Sequence, residues 1–256
     1  MFKVGDLVTR NSYGNDVVFK IYDVRDSVYY LKGVDIRLCA DSEEDDLVLY
    51  DDDSSLEDEF YLDTSKYKSL DRSEYFYLPG KILHIDSDKE YLDKCLSFYK
   101  KNKAKAYGIC EDEANVSGKM YEYLEMYNPD VLVITGHDAY YRKRKKREGY
   151  KNSVNFINAV KEARKYEKSH EKLIIIAGAC QSDYEELIKA GANFASSPKR
   201  INIHALDPAI VAMSVSFSDK REDIDLINIL NKTKYGPEGI GGIITKGCMY
   251  VGYPRE

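Results

Sequence analysis

The chain has 256 residues, of which 43% are hydrophobic and 32% charged, enough for one sizeable core and a small accessory domain. Its formal net charge of −6 argues against a nucleic-acid binder held by overall charge. The five cysteines show neither CxxC nor CxH spacing, so we expect no disulfide framework, no metal and no cofactor. No apolar signal core opens the chain and no apolar run reaches ~18 residues, so we expect no membrane segment.

The first fifty residues contain several short segments in which apolar and polar residues alternate. Examples are Asp6–Thr9, Val17–Ile21 and Val28–Leu31, with a turn signal at 12–16. Short strands at this spacing predict a small SH3-like β-barrel over residues 1–50. Residues 41–60 hold eleven acidic residues and no Lys or Arg, and we interpret 51–75 as an acidic, serine-rich linker.

From residue 76 onward, apolar runs of strand length alternate with segments of helical period. This alternation predicts a doubly wound α/β domain over residues 76–256, with a mainly parallel sheet flanked by helices. The predicted strands are Lys81–Asp86, Ala104–Cys110, Asp130–Thr135, Lys172–Ala177 and Asn193–Ala195. The predicted helices are Lys89–Lys101, Val116–Tyr127, Ser153–Lys168, Asp183–Ala190 and stretches near 207–217 and 224–233. The run 142–147, Arg-Lys-Arg-Lys-Lys-Arg, predicts a solvated basic loop.

Two of the buried strands are followed by reactive side chains. Val131–Thr135 leads to His137, and Leu173–Ala177 leads to Cys180. Carboxyl ends of neighbouring parallel strands meet at one edge of a sheet, where an imidazole and a thiol can face one crevice. A thiol with a pKa of ~8.5 is mostly protonated at neutral pH, and a nearby imidazole takes its proton. This pairing predicts Cys180 as nucleophile and His137 as base, with the backbone N–H groups of Asp138 and Cys180 as the oxyanion hole.

The alternative for each of these two side chains is a structural role. A cysteine at the end of a strand is usually a small packing residue, and a single histidine is more often structural than catalytic. The occurrence of both at adjacent strand ends, each after a glycine-containing turn, favours the catalytic interpretation.

Three segments around these strands resemble a known family. Ile134–Asp138, Gly178–Ser182 and Ala190–Pro198 are similar to segments of the YabG family, sporulation-specific proteases in the caspase–clostripain–separase group of cysteine proteases. The resemblance covers most of the chain and implies a caspase-like fold, with Cys180 and His137 as the catalytic pair. It also implies cleavage after arginine in spore coat and germination proteins, by a protein of the mother-cell cytoplasm associated with the forming spore coat. Asp138 departs from the group, which usually has Gly after the histidine.

Specificity for arginine requires a carboxylate in the S1 pocket, because a guanidinium is always charged and prefers bidentate acceptors. Several arginine-cutting relatives place an acid two residues before the cysteine, and this chain has Gly178 there. We expect Asp86 to be the S1 acid, with Asp207 as the second choice. Each can equally be a helix N-cap or a loop residue.

An arginine-specific protease that displays arginines on a basic loop is expected to cut itself. The candidate sites for this cleavage are Arg142, Arg144 and Arg147 in the basic run and Arg72 in the linker.

The alternative function is a receiver-like signalling or binding module on a doubly wound fold. Ala190–Ala192 and Lys199 resemble the end of a phospho-receiver domain, in which Asp86 and Asp88 would be the acidic pair. The strand that should end in a phosphoacceptor Asp ends in Thr135, which argues against this reading. A catalytically inactive binding protein on the same fold is a third possibility, and the sequence leaves the oligomeric state open.

Overall fold

A computed structural model describes residues 2–50, 76–144 and 147–252. The chain divides into two compact units, Met1–Glu59 and Phe60–Glu256. The predicted linker, 51–75, lies outside the described residues.

The smaller unit contains one antiparallel sheet of five strands in the order β4-β3-β2-β1-β5. Alternate apolar side chains along these strands form its core, because successive residues of a strand point to opposite faces. The β2–β3 turn, Asp26 and Ser27, has φ of 49° and 67°, the left-handed conformation of tight hairpins. The strands are β1 (Leu7–Arg10), β2 (Phe19–Arg25), β3 (Val28–Gly33), β4 (Cys39–Ser42) and β5 (Leu47–Leu49). The buried side chains are Val8, Phe19, Ile21, Tyr29, Leu31 and Leu47.

The larger unit is built on a six-stranded sheet in the order β14-β13-β12-β9-β7-β8. Its strands are parallel except for β14, which pairs antiparallel with β13, and this confirms the predicted mainly parallel sheet. The strands of this unit are β6 (Phe76–Leu78), β7 (Ile82–Asp86), β8 (Ala106–Cys110), β9 (Val131–Thr135), β10 (Tyr140–Arg144), β11 (Arg147–Tyr150), β12 (Ile174–Ala177), β13 (Phe194–Ser196), β14 (Ile240–Gly242) and β15 (Tyr250–Gly252). The helices are α1 (Lys89–Lys101), α2 (Glu113–Tyr127), α3 (Ser153–Tyr166), α4 (Tyr184–Ala190), α5 (Asp207–Ser216) and α6 (Leu226–Asn231).

Helices cover both faces of this sheet. Val131 and Val133 of β9 pack in one apolar cluster with side chains of α1, α5 and α6. Leu132 and Ile134, which point the opposite way, pack in a second cluster with α2, α3 and α4. All five residues of β9 are buried, which explains why its sequence is a continuous apolar run rather than an alternating one.

The predicted basic loop is instead partly a hairpin. β10 and β11 pair antiparallel, with Tyr140 opposite Tyr150 and their ring centroids 5.0 Å apart. Residues 145 and 146 lie outside the described part of the chain. The charged sequence of these strands has no apolar alternation, so the prediction from charge was wrong about the backbone. A cross-strand aromatic pair contributes to the stability of such a two-stranded ribbon.

Arg164 of α3 binds the segments at the amino-terminal edge of the six-stranded sheet. Its guanidinium donates to the carbonyl oxygens of Leu173 (2.9 Å) and Gly191 (2.7 Å) and to Asn193 Oδ1 (2.6 Å). Burial lowers the pKa of Arg164 to about 10. These contacts connect the residues that enter β12 and β13 with the end of α4.

Candidate active site

Cys180 and His137 follow adjacent strands in matching register. In the parallel pair of β9 and β12, Ile134 lies beside Ala177, and Gly178 N–H donates to the Ile134 carbonyl at 3.0 Å. His137 and Cys180 each come three residues after this pair. Neighbouring strands lie about 4.8 Å apart, so the structure brings the two segments together at one edge of the sheet.

His137 is held at three points. Its backbone N–H donates to Glu113 Oε1 at 2.8 Å, and its carbonyl accepts from Asn152 Nδ2 at 2.8 Å. Its ring nitrogen Nε2 lies 3.0 Å from Asp88 Oδ2. The ring also meets Tyr91 edge-on, with centroids 5.9 Å apart. Glu113 and Asn152 therefore hold the backbone of His137. Asp88 and Tyr91 hold its ring.

Cys180 lies in a tight turn and is 2% exposed. The backbone N–H of Ile203 donates to Cys180 Sγ at 3.3 Å, and Sγ lies 3.8 Å from the Ile203 carbonyl, to which the thiol donates. Gly178 has φ of 112°, and Gln181 adopts φ of 57°, which is uncommon for a non-glycine residue. The Gln181 N–H donates to the Ile201 carbonyl at 3.1 Å. Contacts from 201–203 thus fix the turn that carries the thiol.

The Asp138 carboxylate joins the loop after β9 to the loop after β12. Its Oδ1 accepts the backbone N–H groups of Ala139 (2.8 Å) and Asn152 (2.7 Å). Its Oδ2 accepts the hydroxyls of Ser153 (2.5 Å) and Ser182 (3.1 Å). The sequence suggested Asp138 for its backbone N–H; the bridging role of its side chain was not foreseen.

The two carboxylates expected to bind arginine are both fully buried. Asp86 accepts the Thr135 hydroxyl at 2.7 Å and the Asp88 N–H at 2.9 Å. Asp207 accepts the backbone N–H groups of His204 at 3.1 Å and Lys234 at 2.8 Å. Asp86 lies at the carboxyl end of β7, next to β9 and hence on the edge that carries His137. Asp207 is the first residue of α5.

The β10–β11 hairpin, which follows His137, contacts the loop that carries Cys180. Tyr140 N–H donates to Gln181 Oε1 at 3.2 Å. Arg200 lies over the Tyr140 ring, 5.0 Å from its centroid, and donates to the Tyr150 hydroxyl at 3.0 Å. These contacts connect Tyr140, and through its ring Arg200, with Gln181, the residue that follows Cys180. The candidate self-cleavage sites Arg142, Arg144 and Arg147 belong to this hairpin, and Arg72 lies outside the described residues.

Across 2–50, 76–144 and 147–252, no group of His, Cys, Asp or Glu side chains is arranged to hold a metal ion. Within the same ranges, none of the helices combines the length and apolar character needed to cross a bilayer.

Comparison with known proteins identifies the family of this chain. The family described as YabG peptidase U57 matches residues 3–254. The chain is 39% identical over 288 aligned positions to the sporulation-specific protease YabG of Bacillus subtilis (strain 168), an alignment that covers 100% of this chain and 99% of that protein. Both findings span the smaller unit as well as the larger one. The chain therefore belongs to the YabG peptidase family.

Proposed function

We propose that this protein is a cysteine endopeptidase of sporulation in which Cys180 is the nucleophile and His137 the general base. The observation that carries the proposal is the register of β9 and β12. Ile134 pairs with Ala177, so His137 and Cys180 each follow the paired residues by three positions, at the same edge of the sheet. The peptidase family sets aside the receiver-like alternative. A sporulation role follows from the name of the Bacillus subtilis relative.

The reaction needs one proton to move between the two side chains. His137 takes the Cys180 thiol proton, and the thiolate attacks the scissile carbonyl carbon. The backbone N–H groups of Asp138 and Cys180 donate to the resulting oxyanion. His137 then gives its proton to the departing amine as the C–N bond breaks, which leaves a thioester. Water attacks the thioester, its proton passes to His137, and cleavage of the C–S bond releases the acid and restores the pair.

The fold proposed for this chemistry is caspase-like, with an SH3-like N-terminal unit. The strand order of the larger sheet supports the first part, since five parallel strands carry the site at their carboxyl ends. The five short antiparallel strands of the smaller unit support the second.

The proposed substrates are spore coat and germination proteins, cut after arginine by an enzyme of the mother cell. Asp86 and Asp207 are the proposed S1 acids. Both side chains are fully buried, so the proposal requires arginine binding to open the structure around one of them, and Asp86 lies on β7 beside β9. Exchanging each acid for its amide tests this. Asp86→Asn or Asp207→Asn should lower kcat/KM for a P1 arginine peptide more than for a P1 citrulline peptide, which is uncharged.

The dyad is tested with a fluorogenic peptide ending in arginine. The wild type should cleave it, while Cys180→Ala and His137→Ala should fall to background. Cys110→Ala is the matched control, because Cys110 is an exposed cysteine at the end of β8 whose pKa is raised by desolvation. Equal activity in the wild type and Cys180→Ala would remove Cys180 from the mechanism.

Self-cleavage is followed in the same samples by intact mass. Cuts after Arg142, Arg144, Arg147 or Arg72 should appear in the wild type and be absent from Cys180→Ala. A wild-type chain that stays whole while it consumes the peptide would refute self-processing at these sites.

A further inference from the structure

We propose that Asp88 is a positioning residue for His137: it fixes the tautomer of the imidazole and stabilises its protonated form. This inference rests on the proposed roles of His137 and Cys180. It adds a third side chain from a different strand end, the one that follows β7.

The two oxygens of the Asp88 carboxylate have separate contacts. Oδ1 accepts the backbone N–H groups of Glu90 at 3.0 Å and Tyr91 at 3.4 Å, and so caps the first turn of α1. Oδ2 lies 3.0 Å from His137 Nε2. The Asp88 side chain is 14% exposed and that of His137 is 28% exposed. Because the cap fixes one oxygen to the helix, the other oxygen is held in place for the imidazole.

A series of buried hydrogen bonds fixes the backbone of Asp88. Its backbone N–H donates to Asp86 Oδ1 at 2.9 Å, and Asp86 Oδ2 accepts the Thr135 hydroxyl at 2.7 Å. The Thr135 oxygen in turn lies 2.8 Å from His84 Nε2, which donates to it. Thr135 ends β9, two residues before His137. These hydrogen bonds therefore connect the carboxyl ends of β7 and β9, the two strands that precede Asp88 and His137.

This contact decides which ring nitrogen faces the chemistry. An ionised carboxylate only accepts hydrogen bonds, so His137 Nε2 carries the hydrogen. Nδ1 is then the nitrogen that takes the proton from Cys180 Sγ. Once protonated, the imidazolium donates a charge-assisted hydrogen bond to Asp88, which is stronger than the neutral one. Asp88 therefore favours the ion pair of thiolate and imidazolium over the neutral pair.

Other ionisable groups near His137 act differently. Glu113, on α2, accepts from the backbone N–H of His137 and not from its ring. Tyr91, on α1, contacts the ring by its edge. Asp138 turns its carboxylate toward Ser153 and Ser182. Among these groups, Asp88 is the one hydrogen-bonded to a ring nitrogen.

The test separates the cap from the effect on His137. Asparagine and serine cap helices about as well as aspartate, so Asp88→Asn and Asp88→Ser preserve α1 while removing the charge. Asp225→Asn is the matched control, because Asp225 caps α6 in the same way through the Asn228 N–H. Each variant is measured for Tm and for kcat/KM on an arginine peptide from pH 5 to 9, beside Cys180→Ala.

We expect Asp88→Asn and Asp88→Ser to lose about 10- to 100-fold in kcat/KM at the optimum, the range for a hydrogen bond to a charged group. The basic limb of their pH profile should move to lower pH, because the imidazolium loses its partner and deprotonates earlier. Asp225→Asn should keep the wild-type kcat/KM and the wild-type position of the basic limb.

Three outcomes would overturn the inference. Wild-type kcat/KM and an unmoved basic limb in both variants would show that Asp88 does not act on His137. A lower rate with an unmoved limb and a lower Tm would show a structural cap and nothing more. A lower rate of the same size in Asp225→Asn would show a general effect of cap substitution. Activity that persists in Cys180→Ala is a separate result, and it would refute the proposed function instead.

Discussion

Replacing Asp138 by alanine is expected to reduce stability and activity together, because one carboxylate joins the loops of His137 and Cys180. The change removes the acceptor of four hydrogen bonds, two of them from backbone N–H groups. A buried donor left without an acceptor costs about 1–3 kcal/mol; these two N–H groups are only partly buried, so together they cost about 2 kcal/mol. For a unit of about 200 residues this lowers Tm by roughly 6 °C.

The effect of Asp138→Ala on rate comes from geometry. Displacement of one catalytic group by about 1 Å can cost on the order of 100-fold, and we expect a loss of kcat/KM of that order at a temperature where the variant is folded. Asp138→Asn is the comparison, since its amide oxygen still accepts both N–H groups and the serine hydroxyls can rotate to accept from its NH2. It should lose less than half as much Tm. Thermal unfolding and initial rates measure both effects. If Asp138→Ala kept Tm within about 2 °C and its rate within roughly threefold of wild type, the bridging role would be wrong.

Three further predictions concern other contacts. Gly136→Ala should lower kcat/KM about tenfold, because the new Cβ would lie 2.6 Å from Glu113 Oε1 and displace the acceptor of the His137 N–H. Steady-state rates test this, and an unchanged rate would show that the Glu113 contact is dispensable. Arg164→Met should lower Tm by about 10 °C without changing kcat/KM, because several carbonyls of the amino-terminal edge lose their donor. Hydrogen bonds from Ser12 and then Arg10 lower the pKa of Asp46 from 3.8 to about 2. The contribution of Asp46 to stability is therefore present above pH 3.8 and is lost as pH falls toward 2. Asp46→Asn should flatten that part of an acid-unfolding curve, and an unchanged slope would refute the assignment.

The order of elements in the larger unit was predictable because its signals are local and repeated. The predicted helix Lys89–Lys101 is confirmed to the residue, since an acidic N-cap and the apolar period of Tyr91, Leu92, Cys95 and Phe98 define it. The strands before His137 and Cys180 are apolar throughout, as buried parallel strands are. Their adjacency could be expected from the sequence, and the structure gives the register.

The contacts that orient the site were not predictable from local patterns. Asp88 directly precedes the predicted helix Lys89–Lys101, and nothing nearby in the sequence shows that one of its oxygens contacts a side chain 49 residues away. Asp86 was considered for substrate binding, yet its burial depends on Thr135 from another strand. The β10–β11 hairpin was missed because its charged sequence lacks the apolar alternation of a strand, and the contact between Tyr140 and Tyr150 depends on the pairing itself.

The position of Arg164 separates substitutions that change stability alone from those that also change turnover, because the two groups lie at opposite edges of one sheet. Substitutions among the residues that Arg164 fastens should change how much folded protein accumulates in a cell, while each surviving molecule works at the normal rate. Substitutions at the carboxyl edge should lower the turnover of each molecule, and those that break a bridge such as the one made by Asp138 should also lower the amount of folded protein. Measuring cellular level and specific activity side by side would therefore map a collection of variants onto the two edges of the sheet without further structures.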